Sequence, residues 1–413
     1  MIGQREFAVE VIRKLRSKGF TALFAGGCVR DLLLGRDAKD YDVATTARPE
    51  QVRDLFGHRK TLPVGASFGV IIVLGPREVG PVEVATFRTE GPYHDGRRPA
   101  SVSYSTPEQD AQRRDFTING MFYDPVEARV MDFVGGEADL SARVVRAIGD
   151  PHARMSEDKL RMLRAVRFTA TLDFTLDPAT SAAIRQMADQ LTVVSAERIS
   201  QELKKMLVDS HRRRAIELCD EVGLRSIILP ELADRTDGYE ATLRSLSLLE
   251  DPSFELAMAV LLHTIADERK VHEICRRLKL SNDETNRITW LVAHQDDLLR
   301  SPTLPLAPLK RILAHPYRDD LIALLRVKLL AAEADLRPAM FCVEYLSRTP
   351  ESTINPPPLL TGDVLKSLGL QPGPAFRTIL EAIRDAQLSD QISTLEEATA
   401  LAISMTHSAP EPE

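Results

Sequence analysis

The chain has 413 residues, 44% of them hydrophobic and only 5% aromatic, and a formal net charge of −7. That length allows about two to four domains, and no apolar run approaches the roughly 20 residues that cross a bilayer. The net acidity tells against a uniformly basic nucleic-acid surface, but arginines crowd residues 143–167 and 211–214, so the average does not decide the partner. Cys28, Cys219, Cys275 and Cys342 lie far apart with no C-x-x-C pair. This argues against a disulfide framework or zinc site and for a reducing cytoplasm.

Phe7, Val11 and Leu15 recur at helical spacing and predict a charged amphipathic helix stopped by Gly19, not a signal peptide. Residues 20–25 read as a buried strand, Gly26-Gly27 as a tight turn, and 29–34 as a helix closed by Gly35. Glycines at that turn let backbone N–H groups approach an anion, and the helix N-terminus favours negative charge. Arg30 adds a fork suited to phosphate. Asp40-Tyr41-Asp42 follows. In an extended strand the two acids share a face and repel unless a cation sits between them. Such hard oxygen ligands suit Mg²⁺, which shares its remaining sites with water and substrate phosphates. A phosphate cradle followed by an acid pair points to nucleotidyl transfer. Taken alone, Gly-Gly is usually only a turn, and D-x-D is commonly a solvated strand edge.

Pro49–Phe56 reads as another helix, and 69–74 and 82–87 read as strands between Gly-Pro turn signals. Glu83 shares a strand face with Ala85 and Phe87. A strand beside the Asp40–Asp42 segment would therefore bring Glu83 to the acid pair, although a solitary strand Glu is more often in solvent. After Asp150-Pro151 helical periodicity dominates, and INPPPLL (354–360) reads as a stiff linker. Residues 156–168 (SEDKLRMLRAVRF) predict a helix with Ser156 as N-cap. Its apolar residues cover one arc and Arg161, Arg164 and Arg167 form a band on another. On pattern alone this is an ordinary amphipathic helix with a solvated basic face. The expected fold is an α/β nucleotidyltransferase head (1–150) followed by an all-α neck (151–215), body (216–350) and tail (351–413).

The combination GG-x-VRD-x-LLG-R-x(3)-D-x-D over residues 26–42 resembles the first motif of the bacterial-type (class II) tRNA nucleotidyltransferases and their poly(A) polymerase relatives. RRDFTINGM (113–121) resembles their second head motif, with Gly120 where alanine is usual, a change expected to leave the backbone intact. DFVGGEADL (132–140) is similar to a further motif, read as a hinge-like turn. Glu157-Asp158 and Arg161 fit the neck pattern E-D-x-x-R, and ERISQELKKML (197–207) fits the next one, read as a buttress. The likeness runs through nearly the whole chain and is most specific to residue 207.

The resemblance implies that Asp40, Asp42 and Glu83 are catalytic and hold Mg²⁺. It implies nucleotide binding by Gly26, Gly27, Arg30, Asp31, Arg114, Asp115, Asn119, Asp158, Arg161, Arg164 and Arg167. Arg114 would touch phosphate or sugar, Asp115 and Asn119 would lie near the ribose, and Arg164 and Arg167 would hold the triphosphate or orient the Asp158–Arg161 pair. That pair has a hydrogen-bonding logic. Cytosine and adenine each present an amine donor beside a ring-nitrogen acceptor, which suits Asp158 and Arg161. Uracil and guanine present the reverse and would leave polar groups opposed, a strong means of rejection.

The implied activity is CCA addition to tRNA from CTP and ATP, by a two-metal in-line transfer with pyrophosphate release. A poly(A) polymerase or an enzyme adding only A or only CC is the alternative within the family. A non-catalytic nucleotide- or RNA-binding module is the alternative outside it. Ala66-Ser67 stands where bacterial poly(A) polymerases tend to carry a basic pair, and residues 89–100 read as a mobile loop, which the resemblance implies helps admit ATP at the last step. LLHT (261–264) has Thr264 where some relatives carry a metal-binding Asp, so His263 is expected to be a core residue.

Overall fold

Short alternating strands and longer stretches of helical spacing build two compact units, Met1–Ala233 and Asp234–Glu413. The computed structural model describes residues 3–64, 69–91, 102–232, 237–265, 267–367 and 374–407. Ala66-Ser67, most of the 89–100 loop and most of the GLQPGP segment (369–374) lie outside the described residues.

In the first unit, helix α1 (Gln4–Arg16) buries Ala8, Val11, Ile12 and Leu15. They form a stripe at helical spacing, packed on the sheet. The sheet has seven strands: β1 (Ala22–Ala25), β2 (Val43–Thr45), β3 (Thr61–Leu62), β4 (Val70–Leu74), β5 (Pro81–Thr86), β8 (Phe122–Asp124) and β9 (Arg129–Met131). Strands β6 (Arg88–Glu90) and β7 (Val102–Tyr104) form a separate ribbon. The sheet order is β3-β4-β5-β2-β1-β8-β9.

Register explains where the chemistry gathers. β1 is antiparallel to β2, with Phe24 opposite Val43. β2 is parallel to β5, with Val43 beside Val84, and β8 is antiparallel to β1, with Ala25 opposite Phe122. The end of β1 and the starts of β2, β5 and β8 therefore meet at one end of the sheet. Helix α2 (Gly27–Leu33) springs from that end.

The extended segment Asp40–Asp42 precedes β2 and is not part of a strand ladder. It is tied to its surroundings by the Ala25 amide, which donates to the Asp42 carbonyl at 3.0 Å, and by the Cys28 thiol, which donates to the same carbonyl at 3.9 Å. Helices α3 (Pro49–Phe56), α4 (Pro107–Gln112) and α5 (Gly136–Ser141) complete the head. Asp132 accepts from the amides of Val134 and Glu137 and shapes the turn into α5.

The neck differs from the sequence expectation. Ser156 caps nothing: it lies inside α6 (Pro151–Glu157), whose cap is Asp150, accepting from the Ala153 amide at 3.0 Å. The backbone then breaks into an extended conformation at Asp158, and α7 (Leu160–Leu172) begins. Asp158 Oδ1 accepts from the Leu160 amide at 3.0 Å, so a side chain two residues back takes a free donor of the new helix. Helix α7 is buried nearly all round. It packs against α9 (Ala196–Leu207) and α10 (Arg212–Glu221), which follow α8 (Pro178–Met187). A short parallel pair, β10 (Val144–Val145) with β11 (Thr175–Leu176), lies beside it.

The second unit is helical throughout its described residues. Its segment Phe254–Leu262 is buried on every side but that of Glu255. The INPPPLL segment, expected to be a stiff linker, is fastened to a neighbouring helix. Arg384 donates to the Asn355 side chain and the Pro356 carbonyl, and Gln387 donates to the Pro357 carbonyl. His263 is half-buried rather than in the core, with Nδ1 at 2.7 Å from the Val260 carbonyl. No helix among the described residues is long and apolar enough to cross a membrane.

Candidate active site

A cavity of about 500 Å³ opens at the sheet end where the strand termini meet. It is walled by Gly26, Gly27 and Arg30 from the first turn and α2, and by Asp42. The second motif contributes Arg113, Arg114, Asp115 and Asn119, and the neck contributes Asp158, Arg161, Arg164 and Phe168. Asp31, Asp40, Glu83 and Arg167 are not among the lining residues. Gly26 has φ +74, and a Cβ there would meet Arg114 Nη1 at 3.1 Å. Glycine is needed both for the left-handed turn and to let that guanidinium stand over it. Gly120 is also more than a neutral change. A Cβ there would come within 2.7 Å of Val134 Cγ2 and 3.0 Å of Ile148 Cδ1, so the usual alanine would require this packing to shift.

The acidic end of the cavity is uncompensated. β2 and β5 pair Val43 with Val84, next to Asp42 and Glu83, and the charge of Glu83 acts on Asp42. Asp42 reaches solvent yet is crowded by protein. Burial, the negative charge of Glu83 and, more weakly, that of Asp40 push its carboxyl up to about 6, with Arg114 opposing them. Among the described residues Asp42 makes no ion pair, and no three His, Cys, Asp or Glu side chains are grouped closely enough to hold a metal ion. The chemistry of these donors, Asp42 with Glu83 and Asp40 near it, is nevertheless the kind that Mg²⁺ takes. The set is all carboxylate, carries excess negative charge, and leaves positions for water and phosphate oxygens, as this ion prefers.

The basic end compensates itself. Arg30 donates to the Asn119 side chain at 2.8 Å and pairs with Asp31 at 2.7 Å. Asn119 in turn donates to Asp115 at 3.3 Å, and Arg164 grips Asp115 through Nε and Nη2 at 2.9 and 2.6 Å. Burial opposes charge on Asp115, but Arg164, together with Arg161 and the Phe116 amide, outweighs it and holds the carboxyl at about 2. Arg114 pairs with the buried Asp110, which Arg113 shares.

In the neck, Asp158 and Arg161, expected to face one base together, each have a protein partner of their own. Arg198 of α9 holds both oxygens of Asp158, at 3.0 and 2.6 Å. Arg161, only 8% exposed, pairs with Glu157 and donates to the Arg113 and Arg154 carbonyls. Arg167 turns away from the cavity to Glu202 at 2.5 Å. The arginine band is thus a row of ion pairs and not a solvated face. Sequence reasoning missed Arg113 and Phe168 in the wall, and Asp110, Glu157 and Arg198 behind it. A carboxylate within four residues of an arginine signals the Asp110 and Glu157 pairs; nothing local signals a contact such as Arg198 with Asp158, 40 residues apart.

Comparison with known proteins identifies the family of the chain. A family model described as the poly A polymerase head domain matches residues 22–146, and one described as "Probable RNA and SrmB- binding site of polymerase A" matches residues 173–235. The fold and the matching head-domain model define a nucleotidyltransferase of the poly(A) polymerase type. A CCA-adding enzyme of Streptococcus suis (strain 05ZYH33) is 38% identical over 297 residues, 69% of this chain and 70% of that one. A CCA-adding enzyme of Lactococcus lactis subsp. cremoris (strain MG1363) is 33% identical over 93% of this chain and 92% of its own. The crystal structure of the Bacillus stearothermophilus CCA-adding enzyme in complex with CTP is 30% identical and superposes with a TM-score of 0.80, covering 98% of this chain and 99% of that one. The chain belongs to the CCA-adding enzyme family.

Proposed function

We propose that this enzyme adds C, C and A to the 3′ end of tRNA in the cytoplasm, using CTP and ATP and releasing pyrophosphate. One observation carries the reading. A single cavity joins the glycine turn, the second head motif and the neck residues Asp158 and Arg161. The likeness to a relative solved with CTP supports a nucleotide as its occupant, and four buried, unpaired cysteines suit a reducing compartment.

Asp40, Asp42 and Glu83 would hold Mg²⁺. When bound, the metal supplies a lowered pKa to the RNA 3′-hydroxyl and charge neutralisation to the departing pyrophosphate, as in two-metal sites. The rest of the work is positioning. The Gly26-Gly27 amides, Arg30 and Arg114 hold the triphosphate, and Asp115 and Asn119 order the arginines beside it. Asp158 accepts from the base amine, and Arg161 donates to the neighbouring ring nitrogen. With Arg198 gripping Asp158, the acceptor is fixed in direction, so uracil and guanine meet opposed polar groups.

Incubation of tRNAs ending before, within and after CCA, with CTP and ATP separately and together, tests the reading. The expected result is addition of C, C and A, then a stop. Long A tails on unrelated RNA from ATP alone would identify a poly(A) polymerase. Addition of A alone or CC alone would mark a partial enzyme, and no incorporation a binding module.

A further inference from the structure

Phe168 is the last residue of the neck's SEDKLRMLRAVRF segment, and its place in the fold is unusual for a core phenylalanine. It is 7% exposed and lines the nucleotide cavity. Three guanidinium groups crowd its ring: Arg167 with Cζ at 3.9 Å from the centroid, Arg164 at 5.2 Å and Arg30 at 5.3 Å. Phe116, which precedes the turn carrying Asn119, packs edge-on against the same ring at 5.8 Å and 76°. Each of the three arginines also has its own carboxylate, Asp31, Asp115 or Glu202. The carboxylates lower the mutual repulsion of three like charges. Together with Asn119 they also set direction, since Asp115 takes Arg164 through two nitrogens and Asn119 takes Arg30. The ring adds a separate constraint, because its negative face attracts cations within about 6 Å of the centroid, and a planar guanidinium can stack on it.

We propose that Phe168 is a positioning residue for nucleotide binding. Its ring holds Arg30 and Arg164 in the orientation that meets the incoming triphosphate, with Arg167 stacked on it as a fixed backing. The inference rests on the nucleotidyltransferase reading above and goes beyond it. It assigns a binding role to a side chain with no polar atom, and that role depends on ring electrons rather than ring volume.

Size and electrons are separated by replacing Phe168 with mono-, di- and trifluorophenylalanine, which keep nearly the same shape while draining the negative face. In the full-length enzyme, KM for CTP and for ATP should climb with each fluorine. Two partly desolvated cation–ring contacts set a total of roughly three- to tenfold. The expected change in kcat is smaller, and KM for tRNA should stay constant. The Kd for CTP from calorimetry, read without turnover, should follow the same slope. A flat KM and Kd series in an enzyme that binds CTP overturns the proposal, as does a loss confined to kcat. Wild-type enzyme that binds CTP but does not incorporate it would overturn the CCA-addition reading alone, and the Kd series would still judge Phe168. Wild-type enzyme that binds no CTP would overturn both.

Discussion

Asp42 and Asp115 line the same cavity, and burial penalises the charge on each. Asp42 has Glu83 and Asp40 as neighbours and is pushed up to about 6. Asp115 has Arg164 clasping it and is held at about 2. The acidic end is therefore electrostatically unfinished, in a state that an added cation would relieve. The basic end arrives complete, with its charges paired and its directions set. A site for transferring a nucleotide needs this asymmetry. The groups that order phosphate and base should be preorganised, whereas the carboxylates that would take Mg²⁺ must remain unpaired until it binds.

The largest effect expected from breaking this contrast is on turnover. Asp40→Asn and Asp42→Asn should each lower kcat for CTP incorporation by roughly 10²–10³-fold or more, with tRNA affinity and circular dichroism preserved. Near-normal activity in either variant at ordinary Mg²⁺ would remove the acid pair from the mechanism.

Stability should respond in opposite directions at the two ends. Asp115→Ala leaves Arg164 without its partner. Breaking a deeply buried pair costs about 3–5 kcal/mol; with the Arg164 side chain 31% exposed, about 2–3 kcal/mol is expected, read from denaturant unfolding. Asp42→Asn should instead hold or raise the melting temperature at neutral pH, since it removes a penalised charge.

The sign with pH follows from linkage. Asp115 is depressed, so its contribution is present above the ordinary carboxylate range and lost as pH falls toward about 2. Asp42 is raised, so its contribution is present below that range and lost as pH climbs through about 6. Unfolding curves of the two variants and wild type, taken from pH 3 to 8, check both slopes.

Base choice should change by a smaller amount. Asp158→Ala or Arg161→Ala should relax discrimination against UTP and GTP by about 1–3 kcal/mol, measured as ratios of kcat/KM. A loss of tRNA affinity with base choice unchanged would make this part of the neck a phosphate-binding surface. The smallest effect sharpens the account of the acidic end. Mg²⁺ should raise the wild-type melting temperature by a few degrees, less as pH drops below about 6 where Asp42 takes up its proton. Asp42→Asn should lose the increment; an equal shift in that variant would place the ion elsewhere.

What the sequence by itself determined is local. Helical and strand periodicities, Gly-Pro turns and the change of character at Asp150-Pro151 set out an α/β head before helices, because side-chain spacing is a property of neighbours along the chain. The glycine turn and the alternation around Glu83 are legible for the same reason. Only the tertiary structure decided the partners. The parallel pairing of Val43 with Val84 brings Glu83 near enough for its charge to act on Asp42; the break at Asp158 splits the expected single neck helix; Arg198 holds Asp158 and Glu157 holds Arg161, partners that the expected joint contact with one base did not include. Arg164 and Arg167, expected to hold the triphosphate or orient the Asp158–Arg161 pair, have Asp115 and Glu202 as their ion-pair partners. Pairing across tens of residues depends on which surfaces packing brings together, and charge alone does not specify which carboxylate each arginine will meet.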